Sequence, residues 1–108
     1  MDLKIQIQNE FDNAEKARLH DNEGRARVCA RRAAGIAIRE YLTRRGRRIP
    51  NASAYDLLNL LKEDALLPPD LNLIADHLTL RVTEEFKLPI EADIIAEARL
   101  LCDWLLSK

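Results

Sequence analysis

At 108 residues, with 47% apolar and only 5% aromatic side chains, the chain matches one domain that can fill its own core without disulfide staples. No stretch approaches the roughly 20 apolar residues of a membrane span, and the first residues, interrupted by Asp2, Lys4 and Glu10, do not resemble a signal peptide. The formal net charge of −1 hides an asymmetry: between Arg18 and Arg48 ten Arg face Asp21, Glu23 and Glu40, a surplus of seven positive charges, while the remainder holds a surplus of eight negative ones.

Leu, Ile and Ala dominate, and three Gly and four Pro punctuate the chain, a composition suited to helices packed on helices. The expectation is therefore a single all-α domain of four to five helices over residues 1–108, in the cytoplasm and off the membrane. The first helix is predicted to start after Asp2 as N-cap, with Leu3, Ile7, Phe11, Ala14 and Arg18 along one face. Asp21, Asn22 and Gly24 break it. The second, near Glu23 to Arg45, carries Ala26, Cys29, Ala30, Ala33, Ala34, Ala37 and Tyr41 on one stripe, and so many small residues mark it as the central helix. Gly35 in its interior should cost about 1 kcal/mol relative to Ala, and Gly46 is a natural C-terminal stop.

Ser53 is placed to cap a short third helix carrying Leu57, Leu58, Leu60 and Leu61, with Asp56 in its positive first turn. Pro68 and Pro69 open a fourth helix, whose face reads Leu71, Ile74, Ala75, Leu78, Val82 and Phe86. Beyond Pro89, the last helix pairs a stripe of Ile94, Ala98, Leu101 and Leu105 with Ile95, Cys102 and Trp104, a face broader than one neighbour needs. That surplus, with Leu73 and Leu80, has two destinations: the interior of the bundle or a second subunit.

The Arg cluster is the main chemical signal. Arg25, Arg32 and Arg39 are seven residues apart and align along the second helix, and Arg27 and Arg31 form a neighbouring row. Like charges four residues apart cost about 0.2–0.5 kcal/mol unless compensated. The compensating partner is either an anion such as a phosphate or the chain's own acids, Glu23 beside Arg27 and Glu40 beside Arg44. Only Tyr41 and Tyr55 lie near the basic stretch, which gives no aromatic platform for base stacking.

His77, Arg81 and Glu85, four residues apart, make a polar row that is either a weak proton-transfer site or a solvated helix face. Cys29 and Cys102 fall at apolar positions and read as unpaired core thiols. His20, Cys29, His77 and Cys102 lack the close spacing of a zinc site, the Glu that a di-iron bundle sets three residues before its His is missing, and no Gly-rich phosphate loop or activated nucleophile is present. No metal or other cofactor is expected.

Three segments resemble the HEPN superfamily, helical nucleotide-binding domains of higher eukaryotes and prokaryotes. The run from Arg27 to Leu42, RVCARRAAGIAIREYL, is similar to that family's central helix, with Gly46 where its helix-ending Gly falls. YDLLNLL from Tyr55 to Leu61 resembles its short Asp-Leu-Leu helix without the preceding His, and DHLTLRVTEEF from Asp76 to Phe86 resembles its C-terminal half. The resemblance implies an antiparallel up-and-down bundle that often forms a homodimer. Members with Arg, four to six residues, then His cleave RNA, and others bind, often beside a nucleotidyltransferase partner. In this chain the spacing from Arg81 leads to Phe86, Lys87 or Leu88, none of which shuttles protons.

The reading that follows is a non-catalytic HEPN-like module that self-associates and binds a nucleotide, RNA or acidic protein through Arg25, Arg27, Arg31, Arg32 and Arg39. Its rivals are a ribonuclease built across a dimer from His77, Arg81 and Glu85, and a structural subunit whose basic and acidic parts bind each other.

Overall fold

The computed structural model describes residues 2–47, 49, 51–80 and 92–108, in which five helices and no strand are found. Helix α1 spans Leu3–Leu19. The Asp2 carboxylate accepts the Lys4 N–H at 2.9 Å, which satisfies one of the donors a helix start leaves open. Ile7, Phe11, Ala14 and Ala17 are buried. The helix ends where Asp21 adopts a left-handed φ of 58°, so that Asn22 N–H reaches the Ala17 carbonyl at 2.8 Å and Asp21 N–H the Arg18 carbonyl at 3.0 Å, a Schellman closure. The Asn22 side chain then accepts the Arg25 N–H at 3.1 Å, and this one short turn both stops α1 and starts α2.

Helix α2, Glu23–Arg44, buries every residue of the small-residue stripe together with Ile38 and Leu42. It packs against α1, against α3 (Ala54–Leu61) and against α5 (Ile94–Leu106), and is the central rod. Gly35 explains itself there: a Cβ on it would lie 2.9 Å from the Ala54 Cβ, so only the missing side chain lets the start of α3 abut α2. At the far end Gly46 has φ of 78°, with Arg47 N–H on the Leu42 carbonyl and Gly46 N–H on that of Thr43. Gly is the residue that adopts this conformation without steric cost.

Ser53 and Asp56 form a reciprocal capping box at the start of α3, and Leu57, Leu58 and Leu61 are buried. Helix α4 is Pro69–Leu78, with Pro at its start and Leu71, Ile74, Ala75 and Leu78 buried. It is shorter than the periodicity predicts, which carried the helix on to Phe86. The Thr79 hydroxyl donates back to the Ala75 and Asp76 carbonyls, and Arg31 Nε takes the Leu78 carbonyl at 2.9 Å. Carbonyls that a continuing helix would need are thereby engaged at its end. Val82, Phe86 and Pro89 lie outside the described residues.

Asp93 caps α5 by accepting the Ala96 N–H at 3.2 Å. The broad apolar face of α5 turns inward: Ile94, Ile95, Ala98, Leu101, Cys102 and Leu105 are all buried, because α5 meets α1, α2 and α4 rather than one neighbour. Trp104 is half-buried, its ring centroid 5.5 Å from that of Tyr41. Buried side chains from all five helices form one contiguous apolar cluster, and no described helix is long and apolar enough to cross a membrane.

Candidate functional site

Arg25, Arg27, Arg31, Arg32 and Arg39 of α2 do not share one face. Arg27 and Arg31 line a groove of about 620 Å³ closed by Gly24, Val28, Tyr55 from α3, and Thr79 and Leu80 after α4. Arg32 and Arg39 line a different groove of about 440 Å³ against α1 and α3, with Glu10 and Glu40 in the same walls. Arg25 is exposed and belongs to neither. Arg39 Nη2 also donates to the Ala52 carbonyl at 3.4 Å.

The electrostatics separate the two grooves. Around Arg32 and Arg39 carboxylates of the chain supply negative charge. Around Arg27 and Arg31 none is paired with them among the described residues: Glu23, the acid expected beside Arg27, binds Arg18 instead at 2.6 Å. Arg18 holds Asp93 as well, at 2.9 Å, and the two carboxylates' hydrogen bonds, which outweigh its desolvation, raise its pKa above the ordinary value. The expected pair of Glu40 with Arg44 is present at 2.8 Å.

Arg31 is half-buried. Desolvation, and then the neighbouring Arg27 charge, push its pKa below the ordinary arginine value, with Tyr55 acting in the opposite sense. Its Nε is spent on the Leu78 carbonyl, which fixes the guanidinium at the negative end of α4. A guanidinium carries five donors in a planar fork, so the terminal nitrogens are the ones left to face the groove. At the edge of the groove a Cβ on Gly24 would meet the Arg27 Nη2 at 3.8 Å, an ordinary van der Waals contact. Val28 and Tyr55 add exposed apolar surface, at 40% and 41%.

His77 is also partnered, across helices rather than along its own. Its Nδ1 lies 2.7 Å from Glu97 Oε1 of α5, with both side chains at most a quarter exposed. Arg81 and Glu85, its expected companions, lie outside the described residues. Cys29 and Cys102 are both free and buried, and burial pushes the Cys102 thiol up to about 12. Among the described residues no group of three His, Cys, Asp or Glu side chains is arranged to hold a metal ion.

Sequence spacing identified Arg27 and Arg31 as a row but not the groove, because Tyr55, Thr79 and Leu80 reach it only through packing of α3 and α4. Glu97 as the partner of His77 left no sequence signal either, since the two are twenty residues apart on different helices. No family model, curated protein or solved structure matches the chain.

Proposed function

We propose that the chain is a non-catalytic, HEPN-like helical module that recognises an anionic partner through the groove of Arg27 and Arg31 and associates with a second copy of itself. The observation that carries this reading is a half-buried guanidinium beside a second cation, with no carboxylate of the described residues paired to either. Taking a charge out of water is costly unless it is paired, and two cations one turn apart repel. An incoming anion offsets both terms. The HEPN resemblance adds the expected up-and-down antiparallel arrangement and the homodimer, and it names nucleotides, RNA and a nucleotidyltransferase among the partners to try.

The test is binding of labelled anionic probes, RNA and nucleotide among them, to wild type and to the double variant Arg27→Gln, Arg31→Gln. Affinity for at least one probe should fall about tenfold or more, the equivalent of about 1.4 kcal/mol. Equal binding by both proteins for every probe sinks the reading.

A second reading, ribonuclease activity, is favoured by one observation, the imidazole of His77 held by the Glu97 carboxylate. A carboxylate orients a histidine for proton transfer. It calls for cleavage of RNA by purified protein that disappears in His77→Ala; activity unchanged in that variant removes His77.

A further inference from the structure

The groove of Arg27 and Arg31 differs in character from a surface built to follow a nucleic-acid backbone. Phosphate-backbone binding gains affinity by neutralising many phosphates in succession. Here the basic stretch is broken up: Arg18 is tied to Glu23 and Asp93, Arg44 to Glu40, and Arg32 and Arg39 share their groove with Glu10 and Glu40. What remains at the groove is a local pair of guanidiniums, not a track. Among the described residues Tyr55 is the one aromatic lining it, short of a stacking platform.

The same groove has the composition of a protein-binding patch. Tyr and Arg dominate the energetics of protein interfaces, and interface centres are apolar with a polar rim. Val28 and Tyr55 leave large apolar surface in water beside the two cations, and Leu80 extends it. We infer that the occupant is an acidic protein segment that sets two carboxylates against Arg27 and Arg31 and a bulky apolar side chain against Val28, Tyr55 and Leu80. Residues four apart on a helix are about 6 Å apart along its axis, and a segment with carboxylates at about that spacing can address both positions. Two residues along an extended strand supply nearly the same distance. The assignment rests on the anion-binding reading and narrows it to one class of partner.

Fluorescence anisotropy with the full chain tests it, using three labelled probes: a peptide of alternating Glu and Leu, the same peptide with Ser for Leu, and single-stranded RNA of equal formal charge. The Glu and Leu peptide should bind about tenfold or more tightly than the other two. Arg27→Gln with Arg31→Gln, and separately Tyr55→Ala, should each weaken it about tenfold, while Arg32→Gln with Arg39→Gln leaves it unchanged. Circular dichroism establishes that each variant keeps its helical fold. If RNA binds more tightly than the peptide and depends on Arg27 and Arg31, the anion site stands and the protein-segment assignment is overturned. If no probe responds to those two residues, both are overturned.

Discussion

Single residues carry much of the packing. At Gly35 a Cβ would meet the Cβ of Ala54 at 2.9 Å and its backbone Cα at 3.1 Å, and neither is the far end of a flexible chain. The helix-propensity gain of Gly→Ala, about 1 kcal/mol, is therefore opposed by overpacking worth about 1–3 kcal/mol. Gly35→Ala should lower stability in urea unfolding by up to about 2 kcal/mol. Gly24→Ala, where the nearest atoms lie at 3.7 and 3.8 Å, should instead raise it by about 0.5–1 kcal/mol; a gain at Gly35 of the same size would remove the close approach of α3 to α2.

Asp93 provides a pH-dependent counterpart. The Arg18 hydrogen bond, then the Ala96 N–H, hold its carboxyl below the usual carboxylate range. Because the folded pKa is lower than the unfolded one, the contribution to stability is fully present above about pH 4 and is lost as pH falls through the folded value. Arg18→Gln should raise the Asp93 pKa, read from the NMR titration of its side-chain carbonyl, and flatten the acid limb of the stability curve. An unmoved titration would mean that the contact is absent in solution. The thiols make a simpler check. With Cys102 pushed up to about 12 by burial and Cys29 also buried, a thiol reagent should label neither in the native protein and both after unfolding.

Among the helices, the starts and stops were legible in the sequence because their chemistry is local. Asp2, Ser53 with Asp56, Pro69 and Gly46 each act within a few residues of themselves, which spacing alone can reveal. Ser53→Ala removes the acceptor for the Asp56 N–H and should cost about 1 kcal/mol in thermal or urea unfolding; a variant as stable as wild type would show that the α3 cap does not contribute. The end of α4 was not legible. Thr79 and Arg31 close it at Leu78, and one of those two comes from a different helix. The apolar face of α5 was legible as a surplus but not as to destination, since periodicity does not report how many neighbours a helix has. Likewise the Arg rows were visible, whereas their division between two grooves depends on where α1, α3 and α4 dock around α2.

For the molecule as a whole, segregated charge is only partly an external feature. Arg18 is held by Glu23 and Asp93 and Arg44 by Glu40, so the chain's own acids neutralise part of the basic stretch, while no carboxylate of the described residues is paired with Arg27 or Arg31. The proposed self-association draws on apolar surface instead. Leu73 on α4 and Leu100 on α5, two helices that pack on each other, are 54% and 60% exposed. A dimer held by such surface should persist when salt is raised, whereas one held by opposite charges loosens. Light scattering across a salt series separates them, and a monomer at every salt concentration removes the self-association.

The most direct test of the Arg27 and Arg31 groove is a map of backbone amide shifts as an anionic Glu and Leu peptide is titrated into isotopically labelled protein. Shifts should concentrate at Gly24, Arg27, Val28, Arg31, Tyr55 and Thr79, and vanish in the Arg27→Gln, Arg31→Gln variant. Shifts that gather instead at Arg32, Ile36 and Arg39, or that survive loss of both guanidiniums, contradict the assignment of this groove as the recognition site.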